Sequence, residues 1–492
     1  MNSLSRYFLW LLCWVSLAPT SLLFAQQQSG WALDPHAGIS AAFLQPAATV
    51  ATPYDWEVNL GSLSGEISNN YIFLRNAAGM AFLREAGTSD GIDLNDTELS
   101  FLLNGTRYNY DFSQGDKRAF ARVAVEVAGP ALALQVGEYT RVGAFTRLRG
   151  LVSTSGLDRD LNYYPYNDVP NGVNIPVDEA FAAGAVWGEV GLHFSRAFPA
   201  GNDGEFRVGI SPRYLMPLTG VSGYNPEGGA LRQVGQDSVV VINPATELGL
   251  SDAFTNENSR TMVSGTGYAV DLGMQYAWGE TDGPGYRYTV GASLLDVGGL
   301  KFDRDAQRHR FANPGEVSLV GDDYKFSGVD SVNIILGILS TEVNGTPDSQ
   351  VGNDFSVGLP TALSVQFSYR PMEAVQFSAS YRGDVPFAVR RLSRGQELVT
   401  AVHYSRWWFG AGLTVGVYDW RELNVGLQAR LGPVYLGTDR LLGSVLKTQE
   451  LDGGSFYLGL RIHDFAPGRK VKSGGRSPSR RNGSQRVKCY EF

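Results

Sequence analysis

The sequence predicts an all-β chain, a transmembrane antiparallel β-barrel of about 14 strands within a range of roughly 12 to 16. Three observations predict it. Apolar residues alternate with small or polar ones at a period of two along many segments, as in a strand with two unlike faces. After the N-terminal leader no run of about 18 apolar residues follows, so no transmembrane helix is expected; a spanning strand needs only about 9 to 11 residues and leaves little mark on hydropathy. The connections alternate between very short and long, which suits tight periplasmic turns and long outer loops.

Composition narrows the class further. The 492 residues are 43% hydrophobic, 12% aromatic and 18% charged, too few charges and too many aromatics for a disordered chain. The 59 glycines follow no Gly-X-Y period, which excludes collagen, and 2 cysteines exclude a disulfide scaffold.

In chain order, residues 1–25 read as a secretory signal peptide: Arg6 supplies the positive region, Tyr7 to Val15 the apolar region, and Leu23-Phe24-Ala25 the cleavage site. Cys13 falls within this leader, so the mature chain keeps Cys489 alone and forms no intrachain disulfide. Residues 26–52, mildly apolar and Pro-containing, are a candidate plug or strap. Residues 53–465 are assigned to the barrel. Tyr268, Val270, Leu272, Met274, Tyr276 and Trp278 alternate with Ala269, Asp271, Gly273, Gln275 and Ala277, and after a Gly/Asp/Pro turn Tyr286, Tyr288, Val290, Ala292 and Leu294 continue the rhythm. Leu363, Val365, Phe367 and Tyr369 answer Val375, Phe377, Ala379 and Tyr381 across Pro371-Met372-Glu373. Taking that turn as periplasmic makes 383–396, 418–422 and 438–454 outer connections, 405–406 and 432–433 periplasmic turns, and 455–465 the last strand. Residues 466–492 hold eight Lys/Arg and one acid and read as a basic disordered tail, or as a periplasmic arm touching anionic lipid. Without leader and tail, 32 basic and 48 acidic residues leave the barrel a net charge of −16.

The polar parity gives a lumen-facing set: Arg207, Arg213, Asp271, Gln275, Arg287, Gln366, Arg370, Gln376, Arg382, Gln428, Arg430 and Arg461. Its guanidiniums either pair with acids and close the barrel or line a pore that favours anions. By this parity interior acids are fewer than interior arginines, so some arginines must meet water or an inserted segment. Trp278, Tyr286, Tyr369, Tyr381, Trp407 and Trp408 lie at strand ends and are expected in the membrane interface. His193 and His463 fall on the polar parity beside Glu189 and Arg461, which predicts lumen hydrogen bonds, with a proton-sensitive gate as the sharper alternative. The five histidines are too dispersed for a metal site, Asp158 to Asp168 read as solvated turns, and no nucleophile, phosphate-loop or zinc motif occurs. No catalytic residue, metal or cofactor is expected; the chain does not read as an enzyme.

Several stretches carry a family likeness: Gln45-Pro46-Ala47-Ala48-Thr49, Asp55 to Leu60, Ser68 to Ile72, Val290 to Gly298 with its Leu294-Leu295-Asp296-Val297-Gly298, Gly358 to Ser364, and Leu431 to Asp439. In this order they resemble the outer-membrane barrels of Bacteroidota classed as a domain of unknown function (the 5723 type), over about residues 36 to 465. More distantly the chain is similar to gliding and type IX secretion barrels, and Gln45-Pro46-Ala47 is similar to the Asn-Pro-Ala near the start of FadL-like channels, with Gln45 in place of Asn. The resemblance implies an outer-membrane barrel and brings no catalytic residues. Such barrels usually end on an aromatic residue, whereas here 27 residues follow Phe465, out of phase with Phe456, Leu458, Leu460 and Ile462.

The functional expectation is a monomeric barrel in the cell outer membrane acting as a passive channel or uptake component. Alternatives are a FadL-like transporter of hydrophobic molecules and a scaffold for a secretion or surface-export assembly. Expected partners are outer-membrane lipid, the barrel-assembly machinery and periplasmic or secretion proteins; nucleic acid is not among them.

Overall fold

The structure is a computed structural model that describes residues 29–464 apart from 76–91, 94–99, 104, 113–118, 157–170, 202, 236–237, 257–261, 282–284, 321–330, 386–389, 442–449 and 452. The leader, the basic tail, Phe465, Cys489 and the Asp158 to Asp168 stretch lie outside the described residues.

Fourteen antiparallel strands close into one barrel. In chain order they are β1 (Trp56–Asn69), β2 (Ala121–Val136), β3 (Thr140–Ser155), β4 (Ala180–Ala200), β5 (Gly204–Asn225), β6 (Gly265–Trp278) and β7 (Tyr288–Phe302), then β8 (Ala362–Met372), β9 (Val375–Asp384), β10 (Glu397–Ser405), β11 (Phe409–Tyr418), β12 (Glu422–Leu431), β13 (Val434–Thr438) and β14 (Gly453–His463). Each pairs with the next, and β14 returns to β1, from Glu57 opposite His463 to Ser68 opposite Gly453. Closure leaves no unpaired edge, the condition for a sheet to stand in lipid. No described helix is long and apolar enough to cross a membrane.

The two faces are inverted relative to a soluble protein. Outward positions are large and apolar: Leu192 and Phe194 on β4, Phe206 and Ile210 on β5, Met274 on β6, Phe367 on β8, Leu413 on β11 and Leu458 on β14 are all exposed. Inward positions are polar and buried, among them Arg213, Asp271, Gln366, Arg382, His403 and Asn424. A solvent-facing sheet would carry these residues the other way round.

The alternation breaks at one informative place. The β6–β7 pairing shifts between Val270 and Leu272, opposite Leu294 and Val297, where Asp296 takes a left-handed backbone of φ 53°. This bulge moves the inward parity of β7 from Gly291 and Ser293 to Asp296, Leu300 and Phe302. Gly298, at φ 156°, completes the bulge because a Cβ there would collide with the Tyr268 carbonyl.

The ends differ in bulk. At one end strands join through tight turns such as Glu373-Ala374 and Gly432-Pro433. At the other, additional strands extend the wall (Ala245–Leu250, Gln307–Ala312, Gln350–Gly352, Phe355–Gly358), and two small sheets and a helix, α1 (Ser331–Asn344), stand above it. α1 packs Leu336 and Val343 on Leu250, Phe311 and Val317. Inside the barrel on this side Phe181, Trp187, Leu215, Leu300, Phe302 and Val357 form an apolar cluster.

Candidate functional site: an occupied lumen

The lumen is filled by two insertions and an ionic layer between them. From the tight-turn end, residues 29–52 fold inside the barrel as a one-turn helix (Ser29–Ala32) and two 3-10 turns (Gly38–Phe43, Pro46–Ala51). Pro46 starts the second turn with its φ preset, and the Gln45 side chain caps it by accepting the Ala47 N–H at 3.2 Å. Trp31, Ile39 and Leu44 are each at most 2% exposed, so this segment is core of the filled barrel.

Wall side chains hold the segment by its backbone. Ser293 Oγ donates to the Leu44 carbonyl at 2.6 Å and Gln366 Nε2 at 3.2 Å; Gln376 Nε2 donates to the Leu33 carbonyl at 3.0 Å, and His403 Nε2 to that of Gly30 at 3.1 Å. Gln45 donates to Gln366 at 2.8 Å and to the Met274 carbonyl at 3.1 Å. Thr49 meets His193 Nε2 at 2.6 Å and Ser195 Oγ at 2.7 Å, while His193 Nδ1 reaches Ser211 at 2.8 Å. Arg461 donates to the His36 carbonyl and Arg141 to that of Tyr54, both guanidiniums sharing Glu57. Trp31 stacks on Tyr435 at 4.2 Å between centroids. The turn at Pro46 and Ala47 lies so close to the wall that side chains at Gly209 or Gly273 would collide with it.

Above this segment lies a buried ionic layer. Arg147 pairs with Glu189 at 2.6 Å and Glu126 at 3.5 Å; Arg149 pairs with Asp296 at 2.9 Å and Glu189 at 3.1 Å; Arg213 pairs with Asp271 at 2.5 Å and Asp296 at 2.7 Å. Arg147 also lies over the ring of Phe43, 4.0 Å from its centroid, so the layer roofs the inserted segment. The second insertion enters from the loop end: residues 390–396 fold inward, Leu392 is fully buried, the Ser393 N–H donates to Ser153 across the lumen at 2.9 Å, and Arg394 pairs with Asp296. A narrow cleft remains beside β1–β3, and a smaller one lies against Trp31 and Phe43; Glu126 and Arg382 line both.

Of the twelve residues read from polar parity, Arg207, Arg213, Asp271, Gln275, Gln366, Gln376, Arg382, Gln428, Arg430 and Arg461 are buried, and Arg287 and Arg370 are partly buried near the tight turns. They do not line an open positive pore. Arg207 pairs with Glu205 at 2.6 Å and Gln275 at 2.7 Å, Arg382 pairs with Glu397 at 2.9 Å, and Arg430 donates to the Trp407 carbonyl at 2.8 Å. The expected shortage of interior acids is overturned: Glu57, Glu126, Glu205, Asp296 and Glu397 are buried too and supply the missing charges. Glu189 joins the arginines of the ionic layer instead of His193.

Two interface aromatics are placed differently from the expectation. Tyr286 precedes β7, where strand parity has not begun, and is buried with Arg207 over its ring at 5.6 Å. Trp407 occupies a turn that folds under the barrel and packs edge-on against His463 and Tyr54. Trp278 and Tyr369 belong to an outward ladder through Tyr276 and Tyr288, Tyr381 stacks on Trp420 near the loop end, and Trp408 is exposed. No group of three or more metal-ligating side chains occurs among the described residues.

The family described as "Family of unknown function (DUF5723)" matches residues 46–439. No curated protein matches the chain. Among solved structures, a deletion mutant of the TodX monoaromatic hydrocarbon channel is similar at 9% identity, covering 86% of this chain and 94% of that one with a TM-score of 0.40. The toluene transporter TodX of Pseudomonas putida is similar at 9% identity, 90% and 93% coverage and a TM-score of 0.30. A Pseudomonas aeruginosa FadL homologue is similar at 11% identity, 91% and 100% coverage and a TM-score of 0.21.

Proposed function

Since the chain belongs to the DUF5723 family, whose function is unknown, we propose from the lumen itself that it is a gated uptake channel of the outer membrane, closed in this state by residues 29–52. The carrying observation is how that segment is held. Its contacts with the wall combine three separate apolar patches, around Trp31, Leu33 and Ile39, with single hydrogen bonds from Ser, Thr, Gln and His, each contributing about 0.5–1.5 kcal/mol net, that water can replace when the segment leaves. The apolar outer belt supports a membrane location, and the tight turns belong on the periplasmic side.

A second reading concerns the cargo. The apolar cluster of Phe181, Trp187, Leu215 and Phe302 inside the loop-end half favours hydrophobic molecules over simple ions as the substance taken up. Both readings meet one experiment. Purified full-length protein in planar bilayers is expected to be silent at neutral pH, and a variant lacking residues 29–52 to carry steady current through the cleft that the ionic layer and loop 390–396 leave beside β1–β3; a silent variant that still closes its barrel would contradict the gate.

A further inference from the structure

The ionic layer is one positive charge short until loop 390–396 enters it. Strands β2 to β7 supply seven ionic side chains at this level: Arg147, Arg149 and Arg213 against Glu126, Glu189, Asp271 and Asp296. Three guanidiniums against four carboxylates leave the wall at −1. The fourth guanidinium is Arg394, brought across the lumen by a loop between β9 and β10 and seated on Asp296 Oδ2, the oxygen that Arg149 Nη2 reaches from 3.2 Å. Asp296 is built for this contact. Its left-handed backbone, strained for a non-glycine residue, is fixed by its N–H donating to Asp271 at 2.6 Å and by Thr361 Oγ1 donating to its carbonyl at 2.8 Å. Arg394 and Arg149 also line the larger cleft, so the carboxylate is approached from the loop end.

We infer that Asp296 is the anchor of a binding site for a small organic cation bearing a guanidinium or primary ammonium group, and that Arg394 occupies it as a built-in competitor. When Arg394 leaves, Asp296 keeps Arg149 and Arg213 but the buried layer carries one net negative charge, which a planar donor fork or an ammonium neutralises and an anion or neutral molecule does not. Besides Arg394 the loop is held by Ser393 to Ser153 and Asp384, the Leu392 N–H to the Gly358 carbonyl at 2.9 Å, the Arg391 guanidinium to the Thr361 carbonyl at 3.1 Å, the Gln396 N–H to Asp419 at 3.1 Å, Trp420 to Gln396 at 2.6 Å and Arg390 to Glu247 at 2.8 Å, so exchange at Asp296 frees the Arg394 side chain while these contacts anchor the flanks. The site sits above residues 29–52 and does not require them to move, so it stands or falls separately from the gate.

The test uses full-length protein in detergent with agmatine as the cationic probe and butylurea as its neutral counterpart. R394Q is expected to bind agmatine saturably and at least tenfold more tightly than wild type, with no binding of butylurea. Folded R394Q that takes both probes alike, or neither, overturns the inference. Wild-type protein provides a second readout that does not depend on any variant folding: agmatine, but not butylurea, is expected to speed hydrogen exchange of the Ser393 amide as Arg394 is displaced. Unchanged exchange at saturating agmatine equally overturns it.

Discussion

The two insertions fill the same lumen by different physics. Residues 29–52 enter from the tight-turn end, touch wall strands from β3 round to β14, and are held by many hydrogen bonds, two of them from Arg141 and Arg461, together with three apolar patches. Loop 390–396 is tethered at both ends, anchored at its flanks by hydrogen bonds and by buried Leu392, and places one charge on Asp296. The first resembles a fitted stopper whose contacts are numerous and mixed in kind; the second is a latch whose charge is carried by one residue. Segment release should therefore respond gradually to many small changes, and the charge balance of the ionic layer sharply to one.

The largest expected effect follows from the latch. Asp296→Ala leaves Arg149, Arg213 and Arg394 short of a carboxylate in a buried layer, and should cost about 3–5 kcal/mol in detergent unfolding. A loss under about 1 kcal/mol would show that water screens the layer. Next is a wedge at the stopper: Gly209→Leu fills the space taken by Pro46 and Ala47, costs the seated state about 1–3 kcal/mol, and should raise the open fraction in bilayers with the barrel intact.

Acid provides a third, smaller lever. Burial holds the His36 ring neutral, its pKa pushed down to about 3 from an ordinary 6.5, with Asp34 favouring the charged form and Arg430, Arg461 and Arg370 opposing it. The released segment binds a proton that the seated one refuses. Seating is thus at full strength above pH 6.5 and weakens as pH falls, by about tenfold in the equilibrium at pH 5.5. His36→Gln should remove this part of the response in pH-stepped conductance. Smallest is Gln45→Ala, about 0.5–1.5 kcal/mol against the seated state by the same measurement.

Much of the wall was legible because alternation reports faces directly. Tyr268 to Trp278 and Leu363 to Tyr369 read as they fold, the strand number is 14, and the turn at residues 373–374 falls beside the expected Pro371-Met372-Glu373. Reading failed where parity is locally broken or does not apply. Asp296 lies past a bulge that shifts the inward set by one residue, so it escaped the lumen set although Leu295-Asp296-Val297-Gly298 stood within a family stretch. Arg147, Arg149 and Glu126 belong to β3 and β2, whose paired bulge around Gly129 and Pro130 interrupts the rhythm. Arg394 lies in a connection, and nothing in a loop's composition says that it turns inward rather than toward solvent. Tyr286 and Trp407 failed for the related reason that turn residues follow no strand parity.

The most direct test of the gate ties the stopper to the wall. Thr49 and Ser195 have hydroxyls 2.7 Å apart, so paired cysteines at these positions bring their sulfurs within reach of a disulfide that ties the segment to the wall. Oxidised T49C/S195C protein in a bilayer is expected to stay silent at pH 5.5, and the reduced protein to show the more frequent openings that the roughly tenfold weaker seating allows. Openings of equal size and frequency in the oxidised and reduced states would show that current bypasses residues 29–52, and the gate assigned to them would be contradicted.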